Sequence, residues 1–66
     1  MKYTDEQIFD FVEPIEEEIT DHIVHDLDIV GRGFTKEFNR LVEEKVPELQ
    51  GLGLNYYGIY CQFGPQ

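Results

Sequence analysis

The chain has 66 residues, a formal net charge of −9 and a single cysteine, Cys61. A domain this short buries only about 60% of the surface its unfolded chain exposes, and one cysteine excludes both internal disulfides and cysteine-rich zinc sites. The acidity argues against direct binding of nucleic acid or an anionic membrane, because phosphate contacts need Lys and Arg.

A lone thiol suits a reducing compartment, so a cytoplasmic location is expected. The opening MKYTDEQIFDF meets acid within its first residues and lacks the basic-then-apolar order of a signal peptide. No apolar run approaches the roughly 18 residues of a membrane span. The whole of 1–66 reads as one small domain in three parts. Residues 1–30 form an acidic helical segment with a net charge of −9, residues 31–50 a charge-balanced second helix, and residues 51–66 an uncharged aromatic strand.

Thr4 followed by Gln7 has the form of a capping box, which places a helix start at Thr4. Ile8, Phe11, Val12, Ile15, Ile19 and Ile23 then recur at helical spacing as one apolar stripe. Pro14 removes a backbone donor, so the spacing predicts a kink or break near Val12–Pro14. Asp26 falls in the stripe and should end the helix at about His25 or Asp26. Leu27–Val30 reads as a short strand bounded by the Gly31-Arg32-Gly33 turn. Phe34 and Thr35 fit a hydrophobic staple and an N-cap for a helix over about 35–46. Its apolar face is Phe38, Leu41 and Val42, with Leu49 beyond it, and Arg40 should meet Glu43 and Glu44 one turn on.

Residues 54–63 alternate as a strand does. Asn55, Tyr57, Ile59, Cys61 and Phe63 lie on one face, and Leu54, Tyr56, Gly58, Tyr60 and Gln62 on the other. Both faces carry apolar groups, and a chain this short covers only one. The expected fold is therefore α+β: two helices, the first kinked, on a small antiparallel sheet that includes the aromatic strand and is completed by homodimerisation. Leu54, Tyr56 and Tyr60 become the expected dimer or partner surface, with Cys61 buried on the opposite face.

Four groups of residues could carry function. Glu6, Asp10, Glu13, Glu17 and Asp21 fall opposite the apolar stripe and form a ridge about 22 Å long at roughly 1.5 Å per residue. Such a ridge places carboxylates about 4–6 Å apart, against roughly one phosphate per 3.4 Å along a DNA strand. It could stand in for nucleic acid on a basic protein, or merely keep the helix solvated. Glu18, His22 and His25 make an E-x-x-x-H-x-x-H run, a weak metal signal that lacks the zinc-protease glutamate. Arg32, Thr35 and Lys36 surround a glycine turn entering a helix, where an anion could sit. It lacks the spacing of a nucleotide-binding loop. Leu54, Tyr56 and Tyr60 are the fourth group, and without a positive groove they make a poor base-stacking platform.

Tyr57-Gly58-Ile59-Tyr60-Cys61-Gln62-Phe63-Gly64-Pro65 resembles the Y-G-C-Y-C-G-x-G-G calcium loop of secreted phospholipases A2. Ile59 stands where that family has a disulfide cysteine, and Gln62 and Pro65 stand where it has glycines. The His-Asp helix that follows the loop in that family has no counterpart here, so neither calcium nor lipase chemistry carries over. With no serine, one cysteine and both histidines on another segment, an enzyme is not expected. Nor is a cofactor. The expected role is a non-enzymatic protein that binds and modulates or inhibits a partner protein. The alternatives are an accessory subunit docking through its aromatic strand, and a small metal- or anion-binding domain.

Overall fold

A computed structural model describes residues 3–64, in which every regular element is helical. Lys2, one of the bases in the charge balance, and Pro65, in the phospholipase comparison, lie outside the described residues. Three α-helices are present: α1, Asp5–Asp21; α2, Phe34–Lys45; and α3, Tyr56–Phe63. A π-helical turn, His22–Asp26, extends α1, and a short 3-10 turn, Pro47–Leu49, follows α2. There is no strand among the described residues, so the α+β expectation is overturned: Leu27–Val30 is irregular and the aromatic tail is a helix.

The predicted capping box starts α1. Thr4 Oγ1 accepts the Gln7 amide at 3.1 Å, and the Gln7 side chain accepts the Thr4 amide at 2.9 Å. α1 runs through Pro14 as one helix, so the alternative of a break there is overturned. Proline there removes the donor for the Asp10 carbonyl, but Asp10 and Pro14 both lie on the exposed side, where water can take that carbonyl. The helix ends where the sequence places its end. The Leu27 amide reaches back five residues to the His22 carbonyl at 3.0 Å, and Asp28 then turns left-handed with φ 56°.

In α2 the first helical residue is Phe34, and Gly33 occupies the cap position with φ 91°. Thr35 is thus inside the first turn rather than at the cap. Arg40 bridges Glu37 and Glu44, while Glu43 turns away to the following loop.

Asparagines initiate α3. Asn55 Oδ1 accepts the Gly58 amide at 3.0 Å, and Asn39 of α2 accepts the Tyr57 amide at 2.9 Å. The two asparagines also hydrogen-bond each other at 3.2 Å. Two of the donors that a helix start leaves unpaired are thereby satisfied, one of them by a side chain remote in sequence. A Cβ at position 58 would sit 2.8 Å from Asn55 Nδ2, which explains a glycine inside this short helix.

Ile8, Val12, Ile19 and Ile23 of the first segment meet Phe38, Leu41 and Val42 of α2, with Val46, Leu49 and Tyr56 closing the core. Tyr56 is completely buried. In a strand it would have faced away from the core. In a helix packed on both α1 and α2 the chain covers it alone, and Leu54 and Tyr60 are half-buried against the same core. Another chain is no longer needed to cover that face. Cys61, expected inside, is exposed.

Candidate functional site

All five predicted ridge carboxylates, Glu6, Asp10, Glu13, Glu17 and Asp21, lie on α1 and all are exposed. At 100° per residue they fall within about 80° of arc. Because Pro14 does not interrupt the helix, they form one ridge rather than two. Among the described residues none of the five makes an ion pair. The ion pairs among the described residues lie elsewhere: Arg40 with Glu37 and Glu44, Lys45 with Glu18 at 2.9 Å, and His22 with Asp26 at 2.9 Å. Among the described residues, lysine and arginine therefore neutralise the shoulder and the second helix and none pairs with the ridge.

At its C-terminal end the ridge borders an open groove of about 850 Å³ between α1 and α2. Glu17 and Asp21 line one side, Glu44 and Lys45 the other, with His22 and His25 at the end. Glu18 points its carboxylate to Lys45, whose hydrogen bond and charge hold the Glu18 carboxyl below its ordinary value. His22 holds Asp26. The predicted metal run is thus divided between separate partners, and among the described residues no group of three His, Cys, Asp or Glu side chains is placed to hold an ion.

Arg32, Thr35 and Lys36 are exposed around the start of α2. They share a neighbourhood in the fold, with no hydrogen bond linking them.

The aromatic residues divide into two sets. Tyr57 packs edge-on to both Phe34 and Phe38 at centroid distances of 5.2 and 5.0 Å, and those two rings also stack on each other at 6.0 Å. Tyr60 instead stacks on Phe9 of α1 at 5.4 Å, and Phe63 lies 5.8 Å from the same ring. Phe9 was absent from the predicted apolar stripe because it lies on the polar side of α1. A single aromatic ring among acids was the signal available for it.

Sequence reasoning also missed Glu43. Its carboxylate accepts the Gly51 amide at 3.0 Å, the Gly53 amide at 2.9 Å and the Tyr56 hydroxyl at 2.9 Å, which closes the loop between α2 and α3. The Gly51 amide, then the Tyr56 hydroxyl and the Gly53 amide, hold this carboxyl below its ordinary value. No helix among the described residues is long and apolar enough to cross a membrane. Comparison of the chain with protein-family models, curated proteins and solved structures yields no match.

Proposed function

We propose that this chain is a non-enzymatic protein that binds and modulates a nucleic-acid-handling protein, presenting the α1 carboxylates where that partner receives a phosphate backbone. The observation supporting this most directly is the uninterrupted ridge, which pairs with no cation among the described residues. Like charges one helical turn apart each cost roughly 0.2–0.5 kcal/mol of helix stability. That cost persists here although the same chain spends lysine and arginine on neighbouring carboxylates. A basic groove on a partner relieves the repulsion and steers association, with an affinity that falls as salt rises.

The test uses the immobilised protein and a cell lysate. Nucleic-acid-binding proteins should be retained and released by duplex DNA or by added salt. A variant carrying Glu6→Gln, Asp10→Asn, Glu13→Gln and Glu17→Gln should retain none of them, while Glu48→Gln, at an exposed acid off the ridge, should still retain them. Retention that survives the four amides, or that duplex DNA fails to displace, contradicts the proposal.

A further inference from the structure

The α1–α3 seam carries an aromatic patch that the core does not use. Ten aliphatic and aromatic side chains form the buried core, and Tyr60 packs against it, but Phe9 and Phe63 belong to neither group. Phe63 is 39% exposed, Phe9 and Tyr60 are partly buried, and the three rings lie together across two helices. Their surroundings are acidic. Glu6 precedes Phe9 by three residues on α1 and Glu13 follows it by four, so both neighbour it on the helix surface. Glu16 follows Phe9 by seven residues, about two turns along the same side of α1. Burial first, then the Glu16 and Glu13 carboxylates, keep the Tyr60 phenol above its ordinary value.

A second copy of this chain is a poor occupant, because it brings another charge of −9 and the same acidic rim. Rings edged by carboxylates instead match a guanidinium group, whose flat face stacks on an aromatic ring while its N–H fork meets carboxylates. We infer that the Phe9–Tyr60–Phe63 patch, with Glu6, Glu13 and Glu16 at its rim, is a docking surface for an arginine-bearing segment of a partner protein. This deepens the reading of the ridge as a partner-binding face and rests on it. The ridge supplies long-range attraction to any basic segment, and the patch selects arginine over lysine.

Titration of the full chain with nona-arginine and nona-lysine peptides, followed by NMR, tests the selection at equal peptide charge. Nona-arginine should bind about two- to fivefold more tightly, the worth of one exposed cation–π contact, with the largest shifts at Phe9, Tyr60 and Phe63. A Phe9→Leu/Phe63→Leu variant keeps apolar bulk but removes two ring faces. It should bind both peptides equally while retaining the helical circular dichroism of the parent. Equal binding of both peptides by the parent overturns the inference and leaves the ridge reading standing. An arginine preference that survives in the leucine variant also overturns it. If neither peptide binds, the inference and the ridge reading fail together. Sedimentation of the free protein at the same concentration should show a monomer, and a dimer lost in the leucine variant would assign the patch to self-association instead.

Discussion

Tyr56→Phe isolates one atom on which the packing of α3 depends. The ring is completely buried, and its hydroxyl lies 2.9 Å from Glu43 Oε2 and 3.0 Å from the Leu49 carbonyl oxygen. Phenylalanine keeps the ring and removes a hydroxyl that joins α3 to both Glu43 of α2 and the turn after it. A hydrogen bond to a charged acceptor is worth roughly 1.5–3 kcal/mol, so a loss of about 2 kcal/mol is expected. At about 4–8 °C per kcal/mol for a small domain, Tm should fall by about 8–16 °C. Urea unfolding should show a lower midpoint with an unchanged slope. The same substitution should alter the alkaline limb. Burial first, then the Glu43 hydrogen bond, push the Tyr56 phenol up to about 12 from 10.0. A raised pKa means that this stability is complete below about pH 10 and is lost as pH rises through about 12. Tyr56→Phe should lack that component of the loss. A change below about 0.5 kcal/mol, small against a typical hydrogen bond, would refute the view that the hydroxyl holds α3 in place.

Glu43→Gln should lower Tm at neutral pH and flatten the acid limb. The native carboxyl is held below its ordinary value of 4.5, so its stabilisation is present above that value and lost as pH falls through the depressed one. Glu18 and Glu37 are depressed in both proteins, so the difference between the two melting curves isolates Glu43. Asn39→Ala removes a cap supplied across the fold and should cost about 1–2 kcal/mol by chemical denaturation. A neutral result would place the initiation of α3 in Asn55 alone. Pro14→Ala should restore a donor to the Asp10 carbonyl and stabilise the domain by roughly 1–3 kcal/mol. A fall in helical circular dichroism would contradict a continuous α1.

The first two helices were legible because their signals are local. A capping box, an apolar stripe from Ile8 to Ile23 and the Phe38–Leu41–Val42 face each lie within a few turns of sequence. The tail was not legible, for two reasons. Tyr, Ile and Phe suit strands intrinsically, and residues 54–63 alternate well enough to satisfy a period of two. The same residues also place Tyr56, Ile59, Tyr60 and Phe63 at helical spacing after an asparagine cap. What decides between them is tertiary: Asn39 caps the Tyr57 amide from α2, and the core formed by α1 and α2 receives Tyr56. Neither contact can be read from a local window. The ridge was visible as a pattern, but its continuity depended on where Pro14 faces. Glu43 looked like one more surface acid because its three donors come from a loop whose path only the fold defines.

Backbone NMR of the isolated protein tests most directly whether one uninterrupted helix carries the ridge and a helical tail closes the core beneath it. Expected are helical Cα shifts from Asp5 to Asp21 with no interruption at Pro14, helical shifts again from Tyr56 to Phe63, and contacts between the Phe9 and Tyr60 rings. Extended shifts through residues 54–63, or a loss of helical shifts on either side of Pro14, would contradict this arrangement.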